Sequence, residues 1–399
     1  MKHAILIVLL FGCVGCTASR PASDTDLKAR STVLTHRFIL IDTHVDTPYR
    51  LREETDDISI RSSGNFDYVK AREGGLNAPF MSIYIPSSYE QDGGAKLLAD
   101  TLIAMVESWS REHPEKFEVA TSVADVRRIS ASSKIALAMG MENGSPIEHD
   151  LSNISYFFRK GIRYITLTHA KDNHLSDSSY DTTGTWHGLS PFGEEVVREM
   201  NRVGIMVDVS HITDDAFWDV LRVSKSPVIA SHSSCRHFTP GWQRNMSDDM
   251  IRALAKNGGV IMINFGSSFI SNTYRLLDSA ADASIRRYVD EHHLQPGDSL
   301  VRKFSDSYHK DHPVAYADVS QVADHIDHVV KLVGIDHVGI GSDFDGVGDS
   351  LPTGLKDASQ YPNLISELLR RGYSEEDIEK ICGTNLLRVW SRVEALSNH

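Results

Sequence analysis

The chain has 399 residues, of which 41% are hydrophobic and 24% charged, and a formal net charge of -13. This composition belongs to a globular protein with a sizeable core and excludes a disordered chain, while the negative balance argues against a nucleic-acid partner, which requires clustered Lys and Arg. The length exceeds the usual single domain, but α/β barrels commonly run to about 250 residues or more as one unit, so one barrel with insertions is the economical reading.

At the N-terminus Lys2 precedes an apolar stretch from Ala4 to Phe11, followed by small residues and two cysteines in LFGCVGC. Such a stretch reads as an export signal, too short to span a bilayer. A cysteine after a small residue behind it resembles a bacterial lipoprotein cleavage site. Cys16, preceded by Gly15, is the expected lipidated residue, with Cys13 or a signal that is simply cleaved as the alternatives. The expected layout is a signal peptide over 1–16, a polar tether rich in Ser, Ala, Thr and Asp over 17–30, and a barrel domain over 31–399. The chain is then expected to be exported and anchored by lipid on the periplasmic or cell-surface side. Cys235 and Cys382 lie beyond the signal region; a bond between them cannot be deduced from sequence, and Cys235 reads as a loop thiol beside the site.

Eight short apolar runs follow, at about 38–43, 80–85, 135–141, 164–168, 204–210, 228–231, 260–265 and 337–342. Eight is the strand number of a closed α/β barrel. Between most of them lie stretches with helical spacing and caps, such as Ser190 to Val203 closing at Gly204, and a segment from Ser247 closing at Gly258. Alternating strand and helix implies a parallel sheet, and runs apolar throughout, such as GIMVDV and VIMINF, suit strands covered on both faces. The expected fold is α/β, a (β/α)8 TIM-type barrel. Residues 266 to about 330 are expected as a long insertion before strand eight, with their second half supplying the helix that precedes it. A polar helical tail after Pro352, with a helix start at Ser374, is expected as decoration.

Chemistry-bearing residues recur where these runs end: FILIDTHVD reaches His44 and Asp46, IALAMGME ends at Glu142, YITLTH at His169, IMVDVSH at His211, VIASH at His232 and VGIGSD at Asp343. Residues i and i+2 of a strand share a side, so His44 and Asp46 can close on one cation. Active sites of this barrel type lie at the C-terminal strand ends, where all of these residues fall. Imidazole and carboxylate with no cysteine favour zinc or a similar divalent ion. One catalytic zinc takes three protein ligands, so three histidines and two acids exceed one site and suggest two ions sharing a carboxylate and a hydroxide, with Glu142 as the bridge. In GSDFDG, Asp343 competes with Asp345 and is preferred as nearer the strand.

With DTHVD, GMENG, DVSH, ASHSS, RNMSDD, HVGIGSDFDGV and GTNLLRVW, the chain resembles the membrane dipeptidase (renal dipeptidase) family, binuclear zinc peptidases of the amidohydrolase-like barrels, over roughly residues 35 to 392. The resemblance implies His44 and Asp46 on one zinc, Glu142 bridging, and His211 and His232 on the other, giving two Zn2+ per chain. It implies that His169 touches the substrate near its scissile carbonyl, that Arg244 takes the C-terminal carboxylate, and that Asp343 handles the proton. It also implies a homodimer. Those roles make physical sense: water between two cations becomes a nucleophile near neutral pH, a donor imidazole can stabilise the oxyanion, one acid can serve as base and then acid, and an Arg fork matches a carboxylate. Arg236 competes with Arg244 on the same loop. The expected activity is hydrolysis of dipeptides with a free C-terminal carboxylate; another binuclear amidohydrolase acting on N-acyl amino acids, lactones or esters is the alternative, because fold and ligands do not determine the substrate.

Overall fold

A computed structural model describes residues 23–295, 297–313 and 315–397. The strands are β1 (Leu40–Val45), β2 (Leu76–Tyr84), β3 (Phe117–Val119), β4 (Ile135–Glu142), β5 (Ile162–Thr166), β6 (Met206–Asp208), β7 (Ile229–Ser233), β8 (Val260–Ile263) and β9 (Val338–Ile340). Eight of them run β1-β2-β4-β5-β6-β7-β8-β9, each parallel to its neighbour. The ends nearly close: Val45 bridges Phe344 in parallel, the Asp343 amide donates to the His44 carbonyl at 3.1 Å, and the Asp46 amide donates to the Phe344 carbonyl at 2.8 Å. The expected parallel α/β barrel is therefore present. β3 is the addition: three residues long, it pairs only with the start of β4, and a strand that short shows no pattern in the sequence.

Caps formed where the residues dictated. Ser190 and Ser247 cap the helices Pro191–Val203 and Asp248–Lys256 through their side chains, and Gly204 takes the left-handed conformation that ends the first of these. The insertion folds into helices Ser267–Ile270, Asn272–Glu291, Ser299–Asp311 and Val319–Val333. The last begins with a capping box between Asp318 and Gln321 and leads into β9, as expected.

The C-terminal tail is not decoration. Leu386, Leu387, Val389, Trp390 and Val393 of the helix Asn385–Leu396 are buried with Ile41, Phe80, Tyr164, Met206, Ile229, Val260 and Met262, which face the barrel interior. The Trp390 ring lies 5.4 Å from that of Phe80. Asn385 donates to the Ile335 and Val338 carbonyls at 2.7 and 2.9 Å, and Arg388 donates to the carbonyls of Gly258 and Asp336, so the helix plugs the N-terminal end of the barrel. Its average polarity hid an apolar stripe at helical spacing.

A second correction concerns the N-terminus. Residues 24–30, expected as the end of a polar tether, belong to a helix Asp24–Arg37 that opens with a capping box between Ser23 and Asp26. Leu27 and Leu34 are buried, and Arg30 pairs with Glu375 at 2.8 Å, so this helix is docked on the tail. Cys13, Cys16 and the rest of the expected signal lie outside the described residues. Cys235 and Cys382 are both buried and free. Among the described residues, no helix is long and apolar enough to cross a membrane.

Candidate active site

The mouth is assembled from the C-terminal ends of separate strands. His44 is in β1 and Asp46 follows it as the residue before helix Thr47–Glu53; Glu142 ends β4; His169 follows β5; His211 follows β6; His232 is in β7; Asp343 follows β9. Glu142 is the hub. Its Oε2 lies 3.4 Å from His44 Nε2, while its Oε1 lies 3.0 Å from His211 Nε2, 3.2 Å from His232 Nε2 and 3.7 Å from His169 Nε2. The two oxygens of one carboxylate thus face two sets of imidazoles. Asp46 Oδ2 is 3.4 Å from His44 Nε2. Three groupings have one ligand atom from each member within 4.8 Å of the others: His44, Glu142 and His232; Glu142, His169 and His211; and His44, Asp46 and Asp343.

The hydrogen-bond partners decide which nitrogens are free to bind. Tyr164 donates to the Thr43 carbonyl at 3.0 Å, so its oxygen accepts from His44 Nδ1 at 2.8 Å and the lone pair of His44 stays on Nε2. Ser231 donates to Asp208 at 2.6 Å, so its oxygen accepts from His232 Nδ1 at 2.7 Å, again leaving Nε2 bare. An arginine has only donors, so the 3.0 Å contact of Arg244 Nη2 makes His211 Nε2 an acceptor as well. The Nε2 atoms of His211 and His232, 2.8 Å apart, therefore both present lone pairs. His44 Nε2 and Asp46 Oδ1 are buried without hydrogen-bond partners. Converging lone pairs without protons, with two carboxylates beside them, fit divalent cations.

Burial opposes a charge on His44, yet Tyr164 and the Asp46 and Glu142 carboxylates outweigh it and push the imidazole well above its ordinary value, so the site draws positive charge. Burial pushes the Glu142 carboxyl up, but the surrounding imidazoles, His44 and His169 first and then His211 and His232, outweigh it and hold it well below the ordinary range. Burial, reinforced by Arg244, keeps His211 neutral; burial with His44 and Arg244 does the same for His232. Asp343 is pushed up to about 7 by burial and the nearby Asp46 carboxylate. Asn264 Nδ2 donates to its Oδ2 at 2.7 Å.

A cavity of about 580 Å³ opens on this cluster, with Asp46, Glu142, His169, His211 and Asp343 in its walls beside Tyr49, Arg50, Tyr84, Tyr180 and Phe269. Arg244 is 2% exposed and lies behind that wall, its fork donating to Ser233 Oγ at 2.7 Å and the His232 carbonyl at 2.9 Å, with Nε unpartnered. Arg236 forms a two-pronged pair with Asp214 and is thereby placed in a structural role. Asp345 accepts from Thr47 Oγ1 at 2.5 Å and from the Asn65 amide at 2.6 Å, tying the loop after β9 to the first helix. Asp42 likewise accepts from Ser342 and Tyr361. Cys235 does not face the site: its amide donates to His325 and its thiol contacts the His325 carbonyl.

The supporting set of Tyr164, Asp208, Ser231 and Asn264 escaped the sequence reading. Their one signal is a polar side chain inside an otherwise apolar strand. Arg50 was missed too. It stands four residues after Asp46, one helical turn on, and its side chain lines the cavity with Nη2 unpartnered and Nε 3.3 Å from Asp345.

Comparison with known proteins adds a separate finding. A family model described as membrane dipeptidase (peptidase family M19) matches residues 28–399. The chain is 32% identical over 382 residues to Dipeptidase 3 of Mus musculus, covering 93% of this chain and 68% of that protein. Among solved structures, the probable dipeptidase PvdM from Pseudomonas aeruginosa is similar at a TM-score of 0.81 and 27% identity, covering 94% of this chain and 100% of that one. A metallopeptidase from Rhodobacter sphaeroides, liganded with a phosphinate mimic of the dipeptide L-Ala-D-Ala, is similar at a TM-score of 0.73 and 25% identity, covering 89% and 99%.

Proposed function

Since the chain belongs to the membrane dipeptidase family, peptidase family M19, and is therefore a metallo-dipeptidase, we propose that it cleaves dipeptides carrying a free C-terminal carboxylate, using two zinc ions held by His44, Asp46, Glu142, His211 and His232. The observation that carries this reading is the division of Glu142, one oxygen toward His44 and the other toward His211 and His232. Such a pair of divalent cations, when bound, supplies an acidified water as nucleophile and a Lewis-acid pull on the substrate carbonyl.

The chain's own groups do the rest. His169, whose side chain is 22% exposed in the cavity wall, presents an imidazole donor to the carbonyl oxygen as charge develops there. Asp343, at about 7 and oriented by Asn264, takes the proton from the attacking water and returns it to the leaving amine. The carboxylate anchor is assigned to Arg244, whose buried Nε has no partner; the relative that binds a dipeptide mimic supports a carboxylate-bearing ligand. Arg50 offers a second reading, because it alone of the two lines the cavity.

The test is a library of L,L and L,D dipeptides given to zinc-loaded protein, with C-terminally amidated dipeptides and N-acyl amino acids or lactones alongside. Chelator-sensitive cleavage of free dipeptides, and its loss on amidation, is the expected result; preference for lactones would sink the proposal. Arg244→Ala is expected to raise KM for dipeptides by about 10-fold or more; if Arg50→Ala does so instead, the anchor is Arg50. Export, lipid anchoring through Cys16 and a homodimer complete the proposal and rest on the signal-like N-terminus and the family resemblance. Labelling with a fatty-acid analogue, abolished in Cys16→Ser but not Cys13→Ser, and gel filtration of the domain are the checks.

A further inference from the structure

Outside the mouth, His237, Asp248 and His328 each bring one ligand atom within 4.8 Å of the others. They come from three elements: His237 from the short turn Arg236–Phe238, Asp248 from the first position of helix Asp248–Lys256, and His328 from helix Val319–Val333. His328 Nε2 is 2.8 Å from Asp248 Oδ1. The His237 and His328 rings face each other at 4.4 Å and 20°, with Phe238 edge-on to both as an apolar wall. His237 is exposed, while the His328 side chain is only 14% exposed, so one ligand is free to turn onto a nearly preset pair. Two imidazoles and one carboxylate, with no thiol, are the donor set of a borderline divalent cation completed by water.

We propose that His237, Asp248 and His328 form a divalent-cation site separate from the catalytic cluster, taking zinc or nickel, that clamps the loop after β7 to the helix before β9. The loop and helix are already joined on their buried side, where the Cys235 amide donates to His325 Nδ1 at 3.0 Å. The same loop carries Arg244, which contacts His211 and His232. A cation on the outer side holds both ends of that connection and adds stability through binding to the folded state alone.

The full chain is equilibrated with buffered zinc, then with nickel, and metal per chain is measured by mass spectrometry for the native protein, His237→Ala, His328→Ala and Asp248→Asn. The expected result is one ion fewer in each variant with dipeptide turnover retained, and a zinc-dependent rise in melting temperature that is smaller in His237→Ala than in the native protein. Equal metal content in native and variant chains overturns the proposal. Should His328→Ala fail to fold, the exposed His237 still reports. The count stands whether or not dipeptides are the substrate.

Discussion

At the N-terminal end of the barrel, Ile41, Phe80, Met206, Val260 and Met262 close on Trp390 in an apolar plug, and the backbone enters β2, β5, β6, β8 and β9 through or just after left-handed glycines, Gly75, Gly161, Gly204, Gly258 and Gly334. At the C-terminal end the left-handed positions include four with side chains beside the cluster, Asn143, His211, Asp343 and Asp345, with φ of 76°, 72°, 65° and 65°. A side chain there costs on the order of 1–2 kcal/mol that glycine avoids. His44 Nε2, Asp46 Oδ1, His169 Nδ1 and His211 Nδ1 are moreover buried without partners. The bottom is built for stability, and the mouth accepts strain and unpaired polar groups because those atoms are held for something else.

Substitutions at the two ends should therefore separate activity from stability. The largest effect is expected of Glu142→Gln, which removes the shared carboxylate: kcat/KM for dipeptides should fall by about 10³-fold or more, with bound metal lost and the melting temperature of the metal-free protein unchanged or raised. Kinetics, metal analysis and a thermal melt of one preparation check this; loss of activity only through unfolding would erase the contrast. Trp390→Ala should do the converse, lowering stability by about 3–5 kcal/mol in denaturant titrations while the folded fraction keeps its metal. No hydrogen bond is lost, because the indole nitrogen has none, so the effect measures packing.

A third test contrasts the unpartnered histidines of the mouth with a buried histidine that is fully bonded. His325 accepts from the Cys235 amide and donates to the Ile270 carbonyl at 3.1 Å, and burial pushes its imidazole down to about 3. The unfolded chain takes up a proton there below about pH 6.5 and the folded chain does not until about 3, so its contribution is complete above 6.5 and is lost as pH falls. Between pH 6.5 and 4.5 this amounts to about 2–3 kcal/mol. Unfolding free energies of His325→Gln should have a correspondingly flatter acid slope. The smallest effect is expected of Asp208→Asn, which accepts from Ser231 and so orients His232 without touching a ligand atom; metal affinity should weaken about 10- to 100-fold by competition with a chelator, with melting temperature little changed.

Much of the candidate site was legible because side chains able to bind a metal at strand ends obey a simple geometry. His44 and Asp46 at i and i+2, Glu142 at the end of an apolar run, the histidines behind β5 and β6 and the one near the end of β7 are recognisable one strand at a time. Tyr164, Asp208 and Ser231 were not, since each acts through a partner on another strand: Tyr164 reaches Thr43 and His44 across the barrel, and Asp208 reaches Ser231 from the neighbouring strand. Arg244 was legible as a residue but not as a position, because its loop could have pointed it into the cavity or behind its wall. The docked N-terminal helix and the plug under Trp390 were hidden alike, polar segments whose apolar side emerges only at helical spacing.

By itself the sequence determined the parallel barrel, its helix caps and the ring of imidazoles and carboxylates at its mouth, because burial periodicity, capping and strand parity are local. Only the tertiary structure decided which oxygen of Glu142 faces which histidine, which ring nitrogens keep their lone pairs, and what seals the bottom of the barrel. Those depend on distances between segments far apart in the chain, which no local pattern encodes.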